Sequence, residues 1–143
     1  MDFPYWKIAT KSNNSVKNFF TKVKDSLCTM DQHNINYSIP CTSCLGQYIG
    51  QTKQLLKKRM SKHKSSQTKL DTMLKTGYNY SSSEIKALTN STTAMIKHCI
   101  THRHRFDTGK VKVLDRSYHS NRLNTLETFH IKATKNAISF EEG

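Results

Sequence analysis

Apolar positions along the chain recur in two rhythms, and the rhythm changes where turn residues intervene. Val16, Phe19, Phe20, Val23 and Leu27 fall at helical spacing and predict an amphipathic helix within a polar N-terminal stretch, residues 1–33. Two short runs, Ile35 to Pro40 and Gly46 to Gly50, read as strands joined into a hairpin by the Cys41-Thr-Ser-Cys44 turn. Pro40 at the end of the first run suits a strand edge, where a missing N–H does no harm. Gly50 ends the second run, and Thr52 is the expected N-cap of a helix over residues 53–64. Leu56, Met60 and His63 share one face of that helix, and Leu55, Arg59 and His63 overlap it.

Residues 65–92 are rich in Ser, Thr, Lys and Asn and read as an inserted loop with a turn or two of helix. Ala94, Met95 and His98 predict a second helix near residues 92–101. The string K-V-K-V-L-D over 110–115 alternates at period two and predicts a third strand. Leu123, Leu126, His130 and Ala133 return to helical spacing and predict a last helix over 120–135. The order β-β-α-loop-α-β-α predicts an α+β domain over 34–138 with a short tail, 139–143. Its expected core is a small three-stranded mixed or antiparallel sheet flanked by helices.

Composition narrows the class. With 143 residues and 35% hydrophobic content, below the usual ~45–50%, the chain can bury only a small core. No run approaches the ~18 apolar residues of a membrane span, so no membrane partner is expected. The opening M-D-F-P-Y-W-K lacks a basic-then-apolar leader, and an intracellular protein is the default expectation. Twenty-three Lys and Arg against ten Asp and Glu give a net charge of +13, which points to a polyanion such as nucleic acid. Lys53, Lys57, Lys58, Lys62 and Lys64 crowd around Arg59 and are expected to form a phosphate-tracking stripe.

The candidate chemistry sits around the hairpin. Cys41-x-x-Cys44 reads as half a metal site or a redox pair, and the two short apolar runs around a turn favour metal. Arg59 and His63, four apart, can reach one phosphate, and Tyr37 and Tyr48 lie on the strands before them. A tyrosine, with an ordinary pKa near ~10, serves as a base only where surrounding cations depress that value. Tyrosines on strands also suit plain packing, and Arg59 and His63 also suit a solvated basic face.

Together these residues carry a resemblance. Tyr37 in I-N-Y, the step to Tyr48-Ile49-Gly50, and K-K-R-x-x-x-H ending on His63 resemble the GIY-YIG nuclease module. Cys41 and Cys44 between the tyrosines, and His98-x5-His104 before Phe106-Asp107, resemble the version found in Penelope-like retroelements. The similarity spans about residues 13–138 and includes N-N-S-V-K-N-F-F-T-K-V-K-D, which is similar to the segment joining reverse transcriptase to nuclease in those elements.

The resemblance implies a DNA endonuclease dependent on Mg2+ or Mn2+ that nicks target DNA, in the nucleus, for a reverse transcriptase of the parent element. It implies that Tyr37 is a general base or water positioner and that Tyr48 binds a phosphate oxygen. Arg59 would stabilise transition-state charge, and His63 would assist proton transfer or hold the phosphate. Glu127 would be the single metal-binding carboxylate and Asn136 a supporting residue. Cys41, Cys44, His98 and His104 would form a structural zinc site, with His102 and Cys99 as competitors for the place of His98. His33, His119 and His130 are read as structural. The alternative from another class is a zinc-stabilised nucleic-acid-binding remnant without catalysis; a third is a basic protein-interaction domain.

Overall fold

The computed structural model describes residues 27–76, 81, 83–84 and 94–139. The expected helix around residues 16–27 and most of segment 77–93 lie outside the described residues. Strands β1 (Ile35–Pro40) and β2 (Gln47–Thr52) form the antiparallel hairpin, with Tyr37 opposite Gly50 and Ile39 opposite Tyr48. Helix α1 spans Leu56–Lys75, α2 Ala94–His102, β3 Lys112–Arg116, α3 Ser120–Ala133 and β4 Ala137–Ile138.

The sheet is mixed, as expected, but has four strands in the order β3-β1-β2-β4 and not three. The added strand, β4, pairs parallel with β2 through only two residues. A pair that short leaves no alternating pattern to read. It is held by its surroundings: Gln47 N–H donates to the Asn136 carbonyl at 2.9 Å, and the Ile138 side chain packs over Gly46. A Cβ at Gly46 would stand 2.6 Å from Ile138 Cδ1, so a larger residue there would have to displace the Ile138 side chain.

Helix α1 differs from expectation at both ends. Thr52 does not cap it. It ends β2, and its hydroxyl accepts from Gln54 N–H at 3.1 Å in a local turn. The first helical N–H, on Leu56, is satisfied instead by the carbonyl of Gln32 at 2.8 Å. At the other end the helix runs on through Lys75, over residues expected to be loop. Leu56, Met60, His63, Gln67 and Leu70 continue one buried face at helical spacing. Thr68 and Thr72 donate their hydroxyls to carbonyls four residues back at 3.0 Å, so polar residues sit in the helix without breaking it.

This face of α1 packs on the Ile35, Tyr37 and Ile39 side of β1, with Met95 and Cys99 of α2 completing the core. The opposite side of the sheet is covered by α3, whose Leu123 carbonyl accepts from Asn36 Nδ2 at 3.2 Å. In β3 the register slips between its partners Asn36 and Tyr37, leaving Leu114 as a bulge.

Candidate functional site

Two clusters form, one against the strands of the hairpin and one at its turn. Alternation along β1 and β2 aims Tyr37 and Tyr48 toward α1, while the turn between the strands carries the cysteines.

In the first cluster Arg59 Nε donates to the Tyr37 hydroxyl at 3.2 Å, and that hydroxyl lies 2.8 Å from His63 Nε2. The direction of the Tyr37–His63 bond follows the His63 tautomer, since the phenol can donate to Nε2 or accept from it while also accepting from Arg59. The Tyr48 ring stands edge-on to His63 with centroids 5.5 Å apart. Burial, aided by Arg59, pushes the His63 pKa down to about 4, so the ring is neutral at pH 7. Tyr37 is raised above the ordinary tyrosine value, first by burial and then by Tyr48, and Arg59 only partly offsets this. With Tyr37 at 0% exposure, Arg59 alone does not depress it to the range of a base. Burial is the largest single influence on Arg59 and acts to lower it, but hydrogen bonds and charge interactions with Tyr37 and Tyr48 together leave it raised.

Gly50 backs this cluster. A Cβ there would lie 3.0 Å from both the Tyr37 and Tyr48 hydroxyl oxygens. Gly50→Ala is expected to destabilise the fold by about 1–3 kcal/mol, since neither buried ring can swing away. Urea unfolding would show it as a lower midpoint with an unchanged slope.

The burial of His63 also sets a pH dependence. Its folded pKa is about 4 against an ordinary 6.5, so between those values the unfolded chain takes up a proton that the folded chain does not. This contribution is complete above the ordinary value and is lost as the pH falls toward the folded one, at up to about 1.4 kcal/mol per pH unit. In urea unfolding at pH 7, 6 and 5, the wild type should lose more stability than His63→Gln. Equal losses would contradict a buried neutral His63.

Glu127 lies on α3, half-buried beside the Gln51 amide. Burial raises its pKa, while Gln51 and the charge of Arg59 act against the rise. Glu127 thus feels the first cluster electrostatically from the α3 side of the sheet. Asn136 is exposed and contributes its backbone carbonyl to β2; among the described residues its side chain makes no hydrogen bond to the cluster. The five lysines are all exposed. At about 100° per residue, Lys58 and Lys62 lie on the Arg59 flank of α1 and Lys57 and Lys64 on the other. Lys57 pairs with Asp31 at 2.8 Å, and Lys53 precedes the helix.

The second cluster gathers Cys41, Cys44, His98 and His104, whose ligand atoms all lie within 4.8 Å of one another. His98 Nε2 is 3.7 Å from Cys41 Sγ, 3.6 Å from Cys44 Sγ and 3.2 Å from His104 Nδ1. Bonds of about 2.3 Å to sulfur and 2.0–2.1 Å to nitrogen give tetrahedral edges of roughly 3.5 Å for N···S and 3.3 Å for N···N. The group therefore could hold a metal ion such as zinc.

The competitors fall away on geometry. Cys99 is buried with its sulfur 4.0 Å from Gln67 Oε1, facing the core. His102 stacks beside His98 with centroids 4.7 Å apart, but the four-atom group forms without it. In a continuous helix His104 would lie far around from His98. Arg103, at φ 56°, ends α2 in the left-handed region and turns His104 back. Sequence reasoning missed Gln67, whose Oε1 accepts from Phe106 N–H at 2.7 Å and fixes the segment after His104. Its place in the Leu56, Met60, His63 series was the available clue.

Among the described residues, no helix is long and apolar enough to cross a membrane. The class that fold and site define is an α+β domain with a mixed sheet and a Cys2His2 group able to bind metal. No family model, curated protein or solved structure matches this chain.

Proposed function

We propose that the chain is a zinc-stapled DNA endonuclease of GIY-YIG type, of the kind found in Penelope-like retroelements. The observation that carries the reading is the Arg59–Tyr37–His63 hydrogen-bonded chain backed by Gly50 and Tyr48. Zinc at Cys41, Cys44, His98 and His104 would be structural, since four protein ligands leave no open position. It would tie the hairpin turn to the end of α2 and so hold Tyr37 and Tyr48 in place.

Arg59 has five N–H donors, and those left over from the tyrosines suit phosphate oxygens. Tyr37, raised by burial and hydrogen-bonded to neutral His63, would serve as a relay or water positioner and not as a standing phenolate. Glu127 is the acidic ligand available to Mg2+ or Mn2+, an ion that keeps waters and takes substrate phosphate as ligands. Such an ion, when bound, would neutralise charge developing at the phosphate. In a parent element, nicking would expose a 3′ hydroxyl for a reverse transcriptase, which places the chain in the nucleus.

One observation favours a second reading. Tyr37 and His63 are 0% and 4% exposed, which suits packing as well as chemistry, and a zinc-stabilised nucleic-acid-binding module needs no more. Supercoiled plasmid incubated with the zinc-loaded chain and Mn2+ separates the two. Conversion to open circle supports the nuclease, whereas salt-dependent binding without conversion supports the binding module.

A further inference from the structure

On the α3 side of the sheet, one amide of β2 faces two side chains of the helix. Gln51 Nε2 donates to Asn124 Oδ1 at 2.6 Å. The same amide edge is turned to the Glu127 carboxylate and favours its ionised form against the effect of burial. Asn124 and Glu127 stand one turn apart on α3, so they share a face. A primary amide carries two N–H donors, and Asn124 fixes Gln51 through one of them while the carboxylate meets the other. Turning the amide over would set its oxygen against that carboxylate, so the neighbours determine its orientation.

Docking of α3 does not need this contact. Asn36 Nδ2 already ties β1 to the helix through the carbonyl of buried Leu123 at 3.2 Å. Gln51 even carries a penalty, because its Oε1 is buried without a hydrogen-bond partner. An apolar side chain of the same length would pack beneath α3 without that penalty. What it would lack is the N–H at Glu127, a half-buried carboxylate on a long, flexible side chain.

We propose that Gln51 is a positioning residue that holds the Glu127 carboxylate in one orientation for a divalent cation, with Asn124 anchoring the Gln51 amide. One N–H occupies only part of the carboxylate's acceptor capacity and leaves the rest open to a cation and its waters. The inference rests on the nuclease reading in taking Glu127 as the cation's ligand; Gln51 itself touches neither cation nor DNA.

Mn2+ titrated into the zinc-loaded full chain, with free Mn2+ followed by electron paramagnetic resonance, tests this without reading activity. Gln51→Met keeps the length and removes the N–H. Its Mn2+ affinity should fall roughly tenfold while its urea midpoint stays at or above that of the wild type. Asn124→Ala, at an exposed position of α3, should weaken Mn2+ severalfold by freeing the amide. Glu127→Gln should abolish the saturable site. A packing role predicts the reverse for Gln51→Met, a lower urea midpoint with unchanged Mn2+ affinity, and that result would overturn the proposal. Nicking by Gln51→Met should fall at low Mn2+ and recover at saturating Mn2+, a rescue that a misfolded site would not show. Mn2+ affinity that follows Gln51 in a chain that never cuts upholds the positioning role and removes the nuclease. Cutting that needs Glu127, in a chain whose Mn2+ affinity ignores Gln51, removes the positioning role and keeps the nuclease.

Discussion

Cys44→Ser should leave the protein without bound zinc and lower its melting temperature by roughly 15 °C or more. The substitution removes one of four ligand atoms that stand within 4.8 Å of one another and join the hairpin turn to α2 and the chain beyond it. In so small a core, cross-linking of this kind contributes a large share of the stability. A loss of about 3 kcal/mol shifts the midpoint of a ~100-residue domain by roughly 12–24 °C. Cys99→Ala is the control: its sulfur faces Gln67, so zinc content should stay at one per chain. Elemental analysis with calorimetry reads both effects. Full zinc content in Cys44→Ser would show that the four residues do not act as one ligand set.

Glu127→Gln should reduce plasmid nicking by more than about a hundredfold while changing DNA affinity and melting temperature little. The two side chains have the same shape, so the packing of α3 beside Gln51 survives and only the carboxylate charge is lost. That charge is half-buried and is already felt by Arg59, which makes it an electrostatic partner of the tyrosine–histidine cluster from across the sheet. On the nuclease reading, DNA affinity would rest mainly on the exposed lysines, so neutralising one acid should raise it slightly if at all. A Glu127→Gln protein that nicks at the wild-type rate would assign the carboxylate to packing.

The residues that come together were legible where local spacing decides the outcome. Ile35, Tyr37 and Ile39 alternate onto one face, and Arg59 and His63 share a helical face, so period gave each half of the tyrosine–arginine–histidine chain, while their meeting across β1 and α1 was implied only by the resemblance. The length of α1 was hidden by composition. Ser65, Ser66, Thr68 and Thr72 suggest a loop, yet the two threonines bond back to their own helix, and Gln67 and Leu70 carry the buried face onward. Strand β4 was hidden for a different reason, because two residues pair only where Gly46 and β2 receive them.

Closure of the metal group depends on a single backbone conformation. Arg103 takes a left-handed φ that favours glycine, and no side-chain pattern announces it. The buried amides of Asn36 and Gln51 were invisible for a deeper reason. Alternation tells which face a residue occupies, but whether its hydrogen bonds are met depends on α3, more than eighty residues away in the case of Leu123.

The most direct test of the nuclease reading is the nicking rate of supercoiled plasmid by the zinc-loaded wild-type chain in Mg2+ or Mn2+, measured beside its affinity for the same DNA. The expected result is metal-dependent conversion to open circle that chelation stops and that Glu127→Gln lacks, with DNA binding retained. Tight DNA binding with no conversion in either metal, by protein carrying one zinc per chain, would contradict it.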